Sequence, residues 1–255
     1  MWDRTQQVAK AIRSSLGFSS FAALRHMHQR WLPFFGTTRQ PLRMFEKTKD
    51  DLELESLLRK QRTDLLKKFD TNFKTQTETL KIILKAKTHA DFNKIESNQV
   101  FWNAAGFINM SSYDLKVIVK EMTFATDEWT KRYFARQTCH LIYELINDLF
   151  EILGKDFKVQ IEKLADNENL KTSLIDIRTK LNSFKADTFD RLKEIRNVSS
   201  AHRDKDFIIQ LRLIDSISWI DTISIATRFD NIMNDLGAVI QKVMDRSSGE
   251  LDRGQ

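Results

Sequence analysis

Arg196 and His202, an arginine and a histidine with five residues between them, form the pair in this chain best suited to acid–base chemistry on a phosphate. They stand in the run Ile195-Arg196-Asn197-Val198-Ser199-Ser200-Ala201-His202-Arg203-Asp204. Imidazole titrates near about pH 6.5, so His202 can accept and return a proton at neutrality. A guanidinium stays charged and meets phosphate oxygens with two parallel N–H donors. Cleaving RNA needs that combination: a base for the 2′-hydroxyl, an acid for the leaving oxygen, and a cation facing the charge on phosphorus. One histidine cannot hold both protonation states at once. Two copies across a twofold axis can, one neutral and one charged, so this chemistry predicts a homodimer. Asn197 is placed to bond the phosphate or to cap the chain break, and Asp204 to orient the imidazole. The scheme requires no metal and no other cofactor.

Other chemistries lack their residues. The chain has no phosphate-cradling glycine loop, no Gly-x-Ser-x-Gly elbow, no His-Glu-x-x-His and no Cys-x-x-Cys. His26 and His28 are two apart, which on a helix points them away from each other. Cys139 and His140 are sequence neighbours about 100° apart around a helix, and Cys139 reads as a small buried side chain. Glu144, Asp148 and Glu151 line one helical face without the Glu-x-x-His companions of a bundle metal site, and read as a solvated face.

The elements that must hold Arg196 and His202 are helical. Both prolines, Pro33 and Pro41, fall early, and the rest of the 255 residues contain none and only five glycines. So few breakers, with no period-two alternation, describe an all-α chain. With 41% apolar and 30% charged residues it is an ordinary folding sequence, long enough to bury roughly 70–75% of its unfolded surface. A lone cysteine excludes an internal disulfide and suits a reducing compartment, hence a cytoplasmic placement. No run of eighteen apolar residues predicts a transmembrane segment, and no apolar signal-peptide core stands at the start.

In chain order, a basic amphipathic segment spans 1–43. It carries seven basic residues against Asp3 alone and so holds the whole net charge of +6. Its arginines Arg13, Arg25, Arg30, Arg39 and Arg43, set among Trp and Phe, suit an RNA-binding arm, contact with an anionic membrane surface, a transit peptide, or simply a pair of helices packed on the body with their charges solvated. Residues 44–125 read as a helical arm and connector. A polar helix runs from about Asp50 to Lys87, with Leu66, Phe69, Phe73, Gln76, Leu80 and Ile83 as its seam. A transition marked by Gly106 and Asn109 to Ser112 precedes a helix over 112–124. Residues 126–246 form the cleaner unit. Thr126 caps a helix with the stripe Phe134, Thr138, Leu141, Ile142, Leu145, Leu149 and Leu153, stopped by Gly154. A short helix follows over 155–164. A third runs Leu170, Leu174, Ile177, Leu181, Phe184, Thr188, Leu192, Ile195 straight into Arg196. Asp204 or Asp206 caps a short helix beyond His202, and the last helix carries Ile225, Phe229, Ile232, Leu236, Val239 and Val243. Residues 247–255 read as a flexible tail. Together these make an antiparallel helical bundle with an N-terminal helical extension.

Arg196-Asn197, three residues, then Ala201-His202-Arg203-Asp204 resembles the signature of the HEPN superfamily (higher eukaryotes and prokaryotes nucleotide-binding): an arginine, often followed by a polar residue, then four to six residues, then histidine. The preceding aromatic-rich helix with Tyr133-Phe134-Ala135-Arg136-Gln137 agrees, and the likeness is nearest the bacterial abortive-infection and toxin-type members. It covers about residues 126–246. It implies a HEPN-like bundle that dimerises, with Arg196 and His202 of both chains making a metal-independent endoribonuclease site, in stress or phage defence, with RNA as substrate and an antitoxin or other protein partner. Inactive members of that family imply a competing class, a helical scaffold that binds RNA, nucleotides or protein.

Overall fold

The computed structural model describes residues 45–165, 167–198 and 206–251, and among them eight helices and no strand. They are α1 (Lys49–Lys60), α2 (Arg62–Phe92), α3 (Glu96–Phe124), α4 (Glu128–Ile152), α5 (Lys155–Glu162), α6 (Glu168–Arg196), α7 (Phe207–Ser216) and α8 (Trp219–Leu251). None is long and apolar enough to cross a membrane.

Helices α3, α4, α6 and α8 are the four staves of an antiparallel bundle. Three of the neighbouring pairs are fixed in direction by cross-contacts whose residue numbers run oppositely. Tyr143 of α4 stacks on Phe189 of α6 at 4.7 Å, while Lys185 donates to Asn147 Oδ1 at 3.2 Å. Phe184 of α6 packs against Phe229 of α8, and Lys180 pairs with Asp235. Between α3 and α8, Lys116 meets Asp230 at 2.7 Å and Ser247 donates to Asn98. Inside this frame most of the expected stripes are buried: Thr138, Ile142, Leu145 and Leu149 on α4, Leu170, Ile177, Leu181, Phe184, Thr188, Leu192 and Ile195 on α6, and Ile225 through Val243 on α8, while Phe134, Leu141, Leu153 and Leu174 pack against the core half-buried. Fully burying one such Leu or Ile is worth about 1.5–3 kcal/mol.

The core does not stop at residue 126. One apolar cluster runs from Leu54 to Val243, and α3 is a stave of the bundle rather than a connector outside it. Helix α2 lies antiparallel on α3's outer side, with Phe69 against Phe124 and Phe73 against Tyr113. Helix α5 closes the end of the bundle through Phe157, edge-on to Phe101 of α3 at 5.5 Å.

Several boundaries differ from the sequence expectation. Asn109 to Ser112 do not break α3, because Ser111 and Ser112 are small side chains buried between helices and Ser112 donates to Asp230. The polar helix splits at Gln61, where Arg62 opens α2 stacked on Phe124 at the end of α3. Its end lies beyond Lys87, at a turn made without glycine. Lys94 takes φ 55°, with Lys94 N–H donating to Asp91 O and Ile95 N–H to Ala90 O, the paired bonds of a left-handed helix stop. Asp127 rather than Thr126 caps α4, accepting from Thr130 N–H at 2.8 Å. Gly154 does end that helix: a Cβ there would sit 2.6 Å from Glu151 O. Helix α8 continues through Leu251, past the expected start of a tail at 247, with Ser247 itself buried.

Candidate functional site

Helix α6 delivers Arg196 as its last residue, and its long apolar stripe is the reason. Leu192 and Ile195 are buried against the core, which leaves Arg196 turned to the seam with α4. The backbone then tightens no further: Asn197 keeps helical angles and Asn197–Val198 form a π-helical turn, a widening often found where helices serve a site.

There the guanidinium is held from three sides. Its Nε donates to Glu144 Oε1 at 2.9 Å, its Nη1 to Asn197 Oδ1 at 3.3 Å, and its Cζ lies 5.4 Å from the centre of the Tyr143 ring. The side chain remains 27% exposed, enough for a phosphate to reach it. His140, one turn before Glu144, places Nε2 at 3.5 Å from the same Glu144 oxygen. Thus an imidazole, a carboxylate, a guanidinium and an amide meet where α4 and α6 come together. Further along α4, burial and the nearby charges of Glu144 and Glu151 push the Asp148 carboxyl above its usual range.

Of the residues singled out from the sequence, Arg196 and Asn197 are brought together here. His202, Asp204 and the arginines Arg13, Arg25, Arg30, Arg39 and Arg43 lie outside the described residues. Asp206 is the residue that caps α7, its Oδ1 accepting from Ile208 N–H at 2.8 Å. Glu144 is not simply solvated, as its face suggested; it is the cross-helix partner of Arg196. No family model matches this chain, and neither a curated protein nor a solved structure is found to be similar to it.

Sequence reasoning missed His140, Tyr143 and Glu144 as neighbours of the motif. The signal was present: a His–Glu pair at i, i+4 on one helix, with the partner helix ending in arginine. What it lacked was the register between α4 and α6, which no local pattern supplies. Cys139, by contrast, is buried as expected, and burial pushes its thiol up to about 12, far from a working nucleophile. Among the described residues no group of three His, Cys, Asp or Glu side chains is placed to hold a metal ion.

Proposed function

We propose that the chain is a metal-independent endoribonuclease of HEPN type whose site is completed across a homodimer. The observation that carries this reading is the setting of Arg196. It is a partly exposed guanidinium, pinned at the end of a rigid helix by Glu144, Asn197 and Tyr143, and His202 follows only six residues later. A cation so held needs no reordering to meet the charge that develops on phosphorus. Asn197, already bonded to Arg196, is positioned to share the same anion. The second proton carrier is His202 of the other copy, one ring neutral while its mate is charged. The role implied is control of RNA under stress or phage attack, with an antitoxin-like protein as natural inhibitor.

The test is direct. Purified protein incubated with end-labelled total RNA in EDTA should produce new ends. His202→Ala should lower that rate by about 10²–10⁴-fold, the usual loss for a general acid or base, while sedimentation and circular dichroism stay unchanged. Intact RNA with the native protein, or undiminished cutting by the variant, overturns the nuclease. Intact RNA that is nonetheless bound would leave the RNA-binding scaffold as the function.

A further inference from the structure

The line of side chains that ends at Glu144 begins about three to four turns away with exposed aromatics. Trp129, Tyr133, Arg136, His140 and Glu144 recur at spacings of four, three, four and four, so they follow one line along α4. Trp129 is 49% and Tyr133 44% exposed. Neither ring is loose. Arg136 is buried beneath them, its Cζ 5.9 Å from the Trp129 ring and 5.5 Å from the Tyr133 ring. Phe45 meets Trp129 edge-on at 5.5 Å, and Phe134 meets Tyr133 the same way at 5.3 Å. The result is a fixed pair of rings one helical turn apart, backed by a guanidinium, about 16 Å of helix rise from the carboxylate that holds Arg196.

We infer that Trp129 and Tyr133 are a stacking platform for unpaired bases of single-stranded RNA. The inference rests on the reading of Arg196 as an RNA-facing cation, and adds the form of RNA and the place where it lies. Three observations favour RNA over other occupants. Aromatic rings held over arginine accept bases of any identity, because every base has a π-face, whereas paired bases expose none. The line joins the platform to His140 and to Glu144, the partner of Arg196, along one face of α4. In sequence, Phe45, which braces Trp129, comes two residues after the basic segment 1–43, which carries the whole net charge of +6. The excess of basic residues in that segment attracts phosphate, so an anionic polymer complements it. The acidic Asp127 near the line has its carboxylate engaged as the cap of α4.

The experiment uses the full chain carrying His202→Ala, so that bound RNA survives, and follows a fluorescent oligouridine by anisotropy. Trp129→Ala and Tyr133→Ala should each weaken binding about ten- to hundredfold, the span of one lost base stack. Trp129→Phe and Tyr133→Phe should retain most of the affinity, and a perfectly paired RNA duplex should compete poorly. Both side chains are half exposed, so circular dichroism should report native helix in all four variants. Equal affinity in the alanine and parent chains overturns the platform. So does binding to phosphatidylserine vesicles in preference to oligouridine, which would make the rings a membrane contact. The two readings separate cleanly. Ring-dependent binding without any cleavage by the native chain sinks the nuclease and keeps the platform. Cleavage of dilute oligouridine that survives loss of both rings at full rate sinks the platform and keeps the nuclease.

Discussion

Two clusters in this molecule are made of the same parts: one carboxylate oxygen shared by two nitrogen bases beside an aromatic ring. At the junction of α1 and α4, Glu55 holds Lys131 and, at 2.8 Å, Lys47, while Lys131 lies 4.4 Å over the Trp219 ring. At the junction of α4 and α6, Glu144 holds Arg196 and His140, with Arg196 over Tyr143. They differ in their access to water. Lys131 is 2% exposed and its neighbours Glu128 and Arg132 are buried with it, whereas Glu144 is 41% exposed. Charge removed from water is expensive to unpair, because the partner left behind has no solvent to turn to. Charge at the surface is exchanged cheaply, because water or a phosphate replaces the partner. The first cluster is therefore a clamp of the fold, and the second is a surface pair that stays open to solvent.

The largest effect should come from breaking the clamp. Lys131→Met should cost about 3 kcal/mol in urea unfolding, at the low end for a severed buried pair because Lys47 still serves Glu55 and Arg132 still serves Glu128. Removing the opposite charge as well, in Lys131→Met/Glu55→Leu, should recover most of that loss. A double variant no more stable than the single one would mean that Lys131 acts through its packing on Trp219 and not through the pair.

A smaller effect should appear in acid. Burial opposes ionisation of Glu55, but the bonds from Lys131 and Lys47 outweigh it and hold the carboxyl below its usual range. A carboxyl lowered in the folded state contributes stability that is present above its unfolded value and is lost as pH falls through the folded one. The native chain should lose stability as pH drops below about 4.3, the ordinary glutamate value. Glu55→Gln should cost roughly 1.5–3 kcal/mol at neutral pH and show a shallower acid decline. Parallel acid profiles for the two chains would remove Glu55 as a source of the slope.

How far the two junctions were legible beforehand follows from what each depends on. Helices α4, α6 and α8 were readable because their apolar residues recur every three or four positions and face one core, from Phe134 to Leu153 and from Leu170 to Ile195. Arg196 could be placed at a helix end for the same reason. Helix α3 was harder, since Ser111, Ser112 and Asn109 look like breakers until they are seen as small contacts with neighbouring helices. The stop at Lys94 was invisible because a lysine there adopts a conformation that sequence reading reserves for glycine. Both charge clusters escaped notice for a single cause. Glu55 and Lys131 are 76 residues apart and Glu144 and Arg196 are 52 apart, so their meeting is set by helix register and not by any local spacing.

The smallest expected change tests the other side of the comparison. Glu144→Gln removes the carboxylate from the α4–α6 junction but leaves an amide that can still accept from Arg196. Because the pair is partly exposed, thermal or urea unfolding should shift by no more than about 1 kcal/mol. The local electrostatics should move more visibly than the stability. Asp148 is held above its usual range first by burial and then by the charges of Glu144 and Glu151, so the variant should bring its carboxyl part of the way down, as followed by NMR titration. The sign is fixed: a raised folded value means stability fully present below the unfolded value and lost as pH rises through the folded one. Easing that elevation should therefore flatten the decline in this window. A loss of several kcal/mol in Glu144→Gln would instead make the Arg196 junction a second clamp, and a guanidinium so tightly committed to α4 would have little left to offer a phosphate.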